Sequence, residues 1–358
     1  MHVPLIDLAA QYEAHRGDID AAIARVLGSG RYVLGDEVTQ LEAELAAKIG
    51  RAYAVGVSSG SDALLAALWA LGVGPGDEVV TTSFSFFATV GAIVRLGATP
   101  VFADIVDGTY HLDLHHARAL VGKKTKAVVV VPLFGRPLDP APLVDVGVPI
   151  VVDGAQAIGA PHLGAPAVAT TLSFFPTKNL GAVGDGGMVL TDDRALADKL
   201  RIMRQHGSAP KYVHHQLGGN FRLDALQAAI LRAKHPHLAG WTATRRRNAA
   251  RYREALADLG PDLELPGDEP GHVYHHFVVR TARRDALKAH LAAAQVDTEV
   301  YYPVPLHAQP CFASMGLGSR PVAERAAKEV LALPVHPTLS EAQLEHVVAS
   351  VRSFPWLM

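Results

Sequence analysis

Lys178 is the residue of this 358-residue chain with the clearest potential for covalent chemistry. It lies within residues 173–181 and is followed at once by the glycine-rich residues 184–187. Because an unpaired ammonium is costly to desolvate, a lysine in such a glycine-flanked segment needs a reason. One reason is a Schiff base between its amine and an aldehyde cofactor, the bond that lysines form with pyridoxal phosphate. For Lys178 alone, an ordinary loop cation is the commoner explanation.

Asp153 supports the cofactor interpretation. It follows the apolar residues 148–152, so it is predicted to lie at the carboxyl end of a buried parallel strand, where ligands bind in open α/β sheets. A carboxylate aimed at a pyridine nitrogen keeps that nitrogen protonated and makes the ring a better electron sink. The alternative is that Asp153 caps a helix.

Helical and extended segments alternate along the first two thirds of the chain. Strands are predicted at residues 52–57, 78–82, 100–103, 127–132 and 149–153. The helices between them imply crossover connections, so we expect an α/β fold with a mostly parallel central sheet flanked by helices. Two further short runs, residues 171–175 and 187–191, are predicted to bracket Lys178 as a hairpin-like excursion.

Residues 58–62 combine serines, a glycine and an aspartate at the start of a helix rich in Ala and Leu. Free backbone N–H groups and the helix dipole make such a start suitable for a phosphate. The more frequent use of these residue types is capping, so Ser61 or Asp62 is also a candidate N-cap.

The character of the sequence changes after Gly240. A long charged helix is predicted at residues 241–259, a strand at 273–280, and helices at 285–294, 324–331 and 341–351. We therefore predict a large domain at residues 1–240 and a smaller α+β domain at residues 241–358.

Composition restricts the class of partner. Hydrophobic residues make up 49% and charged residues 19% of the chain, and the net charge is -2, so nothing indicates nucleic acid or an anionic membrane. The single cysteine, Cys311, suits a reducing compartment. The start of the chain lacks a secretory pattern and no apolar run reaches the ~18 residues that span a bilayer. These features predict a cytoplasmic protein with a small-molecule partner.

Three other classes of protein are alternatives to a pyridoxal phosphate-dependent enzyme. A nicotinamide oxidoreductase would need a glycine fingerprint between a strand and a helix, but residues 72–76 precede their strand and contain Pro75. The 18 histidines show no zinc-type spacing, so no metal site is predicted and surface or packing roles are favoured. A non-catalytic regulatory or binding protein remains an alternative, since fold does not determine function.

Taken together, a set of residues in one order resembles the DegT/DnrJ/EryC1/StrS family of sugar aminotransferases, which depend on pyridoxal 5'-phosphate. The set comprises Gly60, Ser61, Phe86, Asp153, Gln156, Ser173, Lys178 and residues 219–222. The resemblance extends from residue 6 to residue 307. It implies the aspartate-aminotransferase type of fold (fold type I), a homodimer with shared active sites, and transfer of an amino group from an amino acid, expected to be glutamate, to a keto-sugar nucleotide.

The resemblance also implies a role for each matching residue. Lys178 would form the Schiff base and move protons, and Asp153 would pair with the pyridine nitrogen. Gln156 would lie near the phenolic oxygen of the cofactor. Phe86 would stack on its ring. The cofactor phosphate would be held by Gly60, Ser61, Ser173 and, from the neighbouring subunit, Asn220.

Taken singly, three of these residues have commoner explanations. Phe86 alone would more often be a core residue, Ser173 a strand residue and Asn220 a turn residue.

Residues 178–187 resemble the family members that act on 3-keto sugars, because members acting at C4 more often have glutamate in place of Asp185. Residues 301–307 are similar to the same subgroup, so Tyr302 and His307 are expected to line the sugar site. Arg31, beside Tyr32, is a candidate for the nucleotide diphosphate.

The arginine run 245–247 is a second candidate for the nucleotide diphosphate, although a solvated helix face is the commoner use of such a run. A 4-keto nucleotide sugar, a keto-cyclitol and an aminobenzoate-forming reaction remain alternatives. The sequence does not identify the nucleotide or the stereochemistry of the sugar.

Overall fold

The computed structural model describes residues 1–164 and 166–356. Its helices are α1 Leu8–Ala14, α2 Arg16–Ser29, α3 Asp36–Ile49, α4 Gly60–Ala70, α5 Ala88–Arg95, α6 Leu114–Leu120, α7 Arg194–Met203, α8 Ala225–Lys234, α9 Leu238–Leu256, α10 Arg284–Ala293, α11 Pro321–Glu329 and α12 Glu341–Arg352. Its strands are β1 Tyr53–Val57, β2 Glu78–Thr82, β3 Thr99–Ala103, β4 Thr125–Val130, β5 Ile150–Asp153, β6 Ala169–Ser173, β7 Gly187–Thr191, β8 Phe277–Arg280 and β9 Val330–Leu333.

The central sheet has seven strands in the order β1-β7-β6-β5-β4-β2-β3. Strands β3, β2, β4, β5 and β6 pair in parallel, whereas β7 is antiparallel to both of its neighbours. Parallel strands require crossover connections, which the intervening helices provide. The predicted α/β architecture with a mostly parallel sheet is therefore confirmed.

Both faces of this sheet are buried, because successive side chains of a strand point to opposite faces. On one face, Val129 and Val151 pack against Leu64 and Ile93 from α4 and α5. On the other face, Val128, Val130 and Val152 belong to a cluster with Ala117 of α6 and Leu143. Because both faces of the sheet are buried, these strands consist of consecutive apolar residues.

The predicted hairpin around Lys178 is present. β6 and β7 are antiparallel, and Ser173 is the Cα partner of Gly187 at the end of the pair next to the connecting segment that contains Lys178. The base of the hairpin is buried in a core cluster that contains Phe174, Leu180 and Met188. The segment that contains Lys178 therefore begins at the carboxyl end of β6 and is supported by this buried cluster.

The C-terminal part of the chain has its own two-stranded sheet of β8 and β9. Its core includes Tyr252 of α9, Leu291 of α10 and Val347 of α12. Helix α9 begins against the core of the central sheet through Leu238 and ends in this second core. The boundary between residues 240 and 241 remains a prediction, and it falls within this helix.

Several element boundaries differ from the sequence prediction. The helix expected at residues 324–331 ends at Glu329, because Val330 and Leu331 pair with β8 as part of β9. The strand expected at 273–280 begins only at Phe277. Helices α1 and α2 were not predicted. No helix within the described ranges is both long and apolar enough to cross a membrane.

Candidate active site

Adjacent strand ends bring Asp153 and Lys178 into one region. Asp153 is the last residue of β5, and its Cα partner on β6 is Thr171, a few residues before Lys178. Parallel neighbours end at the same sheet edge, so the carboxylate and the lysine segment meet there. Each of the two charges shifts the pKa of the other.

The Asp153 carboxylate is buried, with 5% of the residue exposed. Its Oδ2 accepts a hydrogen bond from Thr89 Oγ1 at 2.8 Å, and its Oδ1 accepts one from the N–H of Ala155 at 3.3 Å. Ala155 lies in a turn, so Asp153 does not cap a helix. Burial raises the pKa of Asp153, while the two donors and Lys178 oppose that rise. The two hydrogen bonds and the charge of Lys178 therefore compensate the negative charge of the Asp153 carboxylate only in part.

Lys178 is partly buried at the turn that follows β6, where its backbone N–H donates to the carbonyl of Phe175 at 2.9 Å. Burial lowers the pKa of the Lys178 amine to about 8, against the opposing attraction of Asp153. The turn is tight, because a Cβ on Gly181 would lie 2.2 Å from the carbonyl oxygen of Pro176. The buried Lys234 ammonium holds the same turn by donating a hydrogen bond to the Gly181 carbonyl at 2.5 Å. A lysine held in this way has an amine that is readily available in its neutral form.

We expect the amine of Lys178 to titrate near pH 8 in protein freed of bound small molecules, because desolvation disfavours its charged form. In Asp153→Asn the midpoint should move lower, since the attractive charge is lost. Competitive labelling with an acylating reagent, read by mass spectrometry over pH 6 to 11, measures this midpoint, with exposed Lys123 as an internal reference for the reagent. A midpoint that is the same in both proteins would contradict the coupling.

The start of α4 lies directly against β6. Ser59 is the N-cap, since its side chain accepts a hydrogen bond from the N–H of Asp62 at 3.0 Å. The capping role considered for Ser61 or Asp62 is therefore wrong, and the exposed Ser61 hydroxyl is not used in the cap. A Cβ on Gly60 would lie 2.5 Å from the Cβ of Ser173. The start of α4 therefore lies beside Ser173, and a helix N-terminus of this kind is suited to an anion.

Gly60→Ala should destabilise the protein by about 1–3 kcal/mol, because the added methyl group overpacks the contact with Ser173. Gly28→Ala is the matched control: a Cβ there has nothing within 4 Å, and helix α2 should tolerate it or gain stability. Urea unfolding of both variants measures the difference. Equal unfolding midpoints would show that the Gly60 contact is not tight.

Gln156 is held by both ends of its amide. Its Oε1 accepts from the N–H of Phe134 at 2.7 Å, and its Nε2 donates to the Tyr302 hydroxyl at 2.9 Å. Burial raises the pKa of Tyr302, so this hydroxyl stays protonated. The structure thus joins two residues that the sequence had assigned to different parts of the site.

Phe86 is 55% exposed, so it is not a core residue in this chain. The centroid of its ring lies 6.2 Å from that of Tyr302, with an interplanar angle of 44°. An exposed ring at the end of β2, next to the Asp153 region, is available to stack on a flat ligand.

Three further predicted residues are exposed in the single chain. Arg31 is exposed and lies 3.8 Å from Asp36, and Tyr32 is also exposed. Asn220 is exposed, where its Oδ1 accepts from Arg222 Nε at 2.8 Å. Their proposed contacts with phosphate or nucleotide stay predictions.

His307 is buried and its Nε2 pairs with Glu324 at 3.0 Å. Its ring centroid lies 6.3 Å from that of Phe102. These contacts indicate that His307 anchors the segment of residues 301–307 to α11, and its contact with a sugar stays a prediction.

The sequence analysis missed a buried polar group behind Lys178. Asn179 Nδ2 donates to the Val273 carbonyl at 3.2 Å, and its Oδ1 lies 3.2 Å from His275 Nδ1. His276 stacks on Tyr301 with centroids 4.1 Å apart. Burial lowers the pKa of both His275 and His276 well below the ordinary range, so both rings are neutral. No spacing in the sequence relates residues 275–276 to Lys178, although Asn179 is its neighbour.

The prediction for the arginine run 245–247 is also wrong in part. Arg245 is only 5% exposed, whereas Arg246 and Arg247 face solvent. The prediction of a solvated helix face is therefore wrong for Arg245, because α9 turns that position towards Tyr274 and His275. Histidines 272, 275 and 276 are packing residues, as the sequence favoured.

Within the described ranges, no group of three or more His, Cys, Asp or Glu side chains is arranged to hold a metal ion.

Comparison with known proteins gives a consistent result. Residues 13–352 match the sequence model of the DegT/DnrJ/EryC1/StrS aminotransferase family. The chain is 48% identical to a pleiotropic regulatory protein of Geobacillus stearothermophilus, with 99% of each chain covered. It is 44% identical to the dTDP-3-amino-3,4,6-trideoxy-alpha-D-glucose transaminase of Streptomyces venezuelae, with 98% of this chain and 96% of that protein covered.

Solved structures agree. The crystal structure of DesV from S. venezuelae in complex with a ketimine intermediate superposes with a TM-score of 0.95, at 44% identity and 98% coverage of both chains. NtdA from Bacillus subtilis with bound cofactor PMP superposes with a TM-score of 0.94, at 30% identity, covering 98% of this chain and 84% of that one.

Proposed function

The chain belongs to the DegT/DnrJ/EryC1/StrS aminotransferase family, as its sequence resemblance indicated, and from this premise we propose its substrates and the roles of its residues. The protein is an aminotransferase. It moves an amino group from an amino acid, expected to be glutamate, to the C3 carbonyl of a keto-sugar nucleotide. The observation that carries this proposal is the electrostatic coupling of buried Asp153 to Lys178 at one sheet edge.

Three features support pyridoxal phosphate as the cofactor. The start of α4 forms a cradle against Ser173 that a Cβ on Gly60 would fill. Asp153 is a buried carboxylate without a full charge partner, and Lys178 is an amine with a depressed pKa. When bound, pyridoxal phosphate supplies an electron sink for the carbon that loses its proton.

Lys178 would act as both nucleophile and general base. With its pKa lowered to about 8, a useful fraction of the amine is neutral at physiological pH and can attack a carbonyl carbon or take a proton. After the donor binds, the released Nζ would accept the α-proton of the amino acid. In the second half of the reaction, the same atom would return a proton to C3 of the sugar.

Asp153 would hold a pyridine nitrogen in its protonated form. Thr89 and the N–H of Ala155 orient the carboxylate, and the Thr89 hydroxyl is itself 3.1 Å from Ser85 Oγ. Because the site is buried, the interaction with a positive ring nitrogen is little weakened by water. Thr89 is thus a positioning residue that sequence reasoning had not selected.

The remaining cofactor contacts follow the family roles. Gln156 Nε2 has one N–H beyond the bond to Tyr302 and would donate it to the phenolic oxygen. Phe86 would stack on the ring, and Gly60, Ser61 and Ser173 would hold the phosphate.

The acceptor would meet a second set of residues. Tyr302 and His307 would border the sugar, and Arg31 with Tyr32 would reach the nucleotide. The 3-amino sugar in the name of the S. venezuelae relative supports amination at C3. A 4-keto nucleotide sugar or a keto-cyclitol remains an alternative acceptor. The cytoplasmic location expected from the sequence also remains a prediction.

A homodimer would complete the site, with Asn220 of one copy reaching the cofactor phosphate of the other. Asn220, Phe86, Phe175 and Val183 are exposed in the single chain, which suits an interface between two copies. Sedimentation of wild type and Asn220→Ala, with cofactor affinity measured for both, tests this arrangement.

A regulatory role deserves a direct test, since the G. stearothermophilus relative is named as a regulatory protein. Both roles predict the same fold, but only the enzyme requires the coupled Asp153 and Lys178. The visible absorbance of the purified protein separates them. An aminotransferase should be yellow, bleach with glutamate and recover its colour with a 3-keto sugar nucleotide but not with a 4-keto sugar nucleotide or keto-inositol. A protein that stays colourless when pyridoxal phosphate is supplied would refute the proposal.

A further inference from the structure

Helix α8 contacts the segment that follows Lys178 at two points. Lys234 Nζ donates a hydrogen bond to the Gly181 carbonyl at 2.5 Å, and Gln227 Oε1 accepts one from the N–H of Val183 at 3.0 Å. Gln227 and Lys234 are seven residues apart, so they lie on the same face of the helix, about two turns from each other. One helix face therefore holds both a backbone carbonyl and a backbone N–H of this segment.

Lys234 is the unusual member of this pair. The residue is 4% exposed, and among the residues that the structure describes it forms no ion pair. Burial lowers the pKa of its amine to about 8, so it is mostly charged at pH 7. The centroid of the Trp241 ring lies 5.9 Å from Nζ, which adds a cation–π attraction. A buried ammonium without a carboxylate is costly, so its presence here points to a role in the segment that it holds.

The segment itself is a closed loop. The N–H of Ala182 donates to the Phe174 carbonyl at 2.8 Å, so residues 174–182 form a ring that contains both Gly181 and Lys178. The loop is also tight, because a Cβ on Gly181 would lie 2.2 Å from the Pro176 carbonyl oxygen. A displacement of Gly181 is therefore expected to move Lys178 as well.

We propose that Lys234 and Gln227 are positioning residues for Lys178. This inference rests on the proposed amino transfer. By fixing the backbone of residues 181–183, the two side chains keep the loop in the conformation that holds the Lys178 amine in its desolvated position. Accurate placement matters for a reacting amine, because a misplacement of about 1 Å can cost about 10²-fold in rate.

The effect of Lys234 should be geometric and not electrostatic. Burial lowers the pKa of Lys178, Asp153 opposes that change, and no charge on α8 contributes. Removing the charge of Lys234 should therefore not shift the Lys178 pKa directly. A loosened loop, in contrast, lets water reach the Lys178 amine and raises its pKa. The titration of Lys178 thus reports whether the loop has moved.

Lys234→Met tests the proposal, with Lys199→Met as the matched control. Methionine keeps an apolar stem but has no N–H to donate. Lys199 makes the same kind of bond elsewhere, since its Nζ donates to the Ala70 carbonyl at the end of α4 at 2.6 Å. In cofactor-free Lys234→Met, acylation of Lys178 should titrate above pH 8, towards the ordinary value of 10.5. In Lys199→Met the midpoint should equal that of wild type.

The rate of colour formation is a second readout. When pyridoxal phosphate is added to cofactor-free protein, the Lys178 amine must attack its aldehyde carbon. Lys234→Met should therefore turn yellow about 10–10²-fold more slowly than wild type, whereas Lys199→Met should match wild type. Urea unfolding of both variants verifies that they are compared in the folded state.

If Lys234→Met does not fold, Gln227→Leu decides the question. It removes the other contact of α8, at the exposed Val183, and should change the Lys178 midpoint and the rate of colour formation in the same directions. Values equal to those of Lys199→Met in the folded test variant would overturn the positioning role. A wild-type protein that stays colourless with pyridoxal phosphate would instead refute the proposed function, and the Lys178 midpoint would still test the loop.

Discussion

Lys178→Ala is expected to abolish amino transfer while the protein remains folded. The variant lacks both the nucleophile and the group that moves the proton, so turnover should fall by at least about 10⁴-fold. A coupled assay with glutamate and a 3-keto sugar nucleotide measures the loss, and circular dichroism monitors the fold. Lys123→Ala, which changes an exposed lysine, should keep wild-type activity. Substantial residual transfer by Lys178→Ala would refute the assignment.

The same variant should also change how the stability of the cofactor-free protein depends on pH. Without cofactor, the pKa of Lys178 is about 8 in the folded state, below its ordinary value of 10.5. Between these two pH values the unfolded chain binds more protons, so stability should rise with pH from about 8 to 10.5. In Lys178→Ala this contribution should disappear from unfolding curves recorded over that range.

Asp153→Asn should lower turnover by about 10²–10³-fold, the typical cost of removing one electrostatic group from an active site. The amide preserves the shape and the contact with Thr89, but it has no charge with which to hold a pyridine nitrogen protonated. Steady-state kinetics at saturating cofactor measures the effect. Wild-type turnover in Asp153→Asn would show that the carboxylate has another role.

The free energy of unfolding of Asp153→Asn shows whether its loss of turnover comes from the missing charge or from misfolding. Burial raises the pKa of Asp153, so its charge destabilises the folded protein when cofactor is absent, and stability falls as pH rises through the window between the ordinary value and the raised value. Asp153→Asn removes this cost. The cofactor-free variant should therefore be at least as stable as wild type at neutral pH, despite its poor turnover, and a clear loss of stability would contradict this account.

These expectations share one physical basis. A protein that only needed stability would gain by replacing a buried carboxylate and a desolvated amine with apolar residues. The chain retains both at the carboxyl edge of a parallel sheet, beside a glycine that permits close contact between α4 and Ser173. Such groups are expected where a ligand completes the electrostatics.

Much of the fold followed from local sequence. Apolar runs with intervening helical periods indicated β2, β3, β4 and β5 and the parallel sheet, because each residue type has its own backbone preference and each face its own period. The hairpin around Lys178 was also predictable, since two short apolar runs bracket a glycine-rich loop. The strand β9 was not, because Val330 and Leu331 are compatible with a helix until β8 is beside them.

Lys178 and Asp153 could be selected as candidate reacting residues from their type and local context alone. Their surroundings depend on how distant parts of the chain pack. Thr89, His275 and Arg245 come from α5, the segment before β8 and α9, and no local pattern relates them to Lys178. Burial and proximity set the charge states of these groups, and both depend on how distant elements pack, so the lowered pKa values of Lys178 and Arg245 are properties of the folded chain.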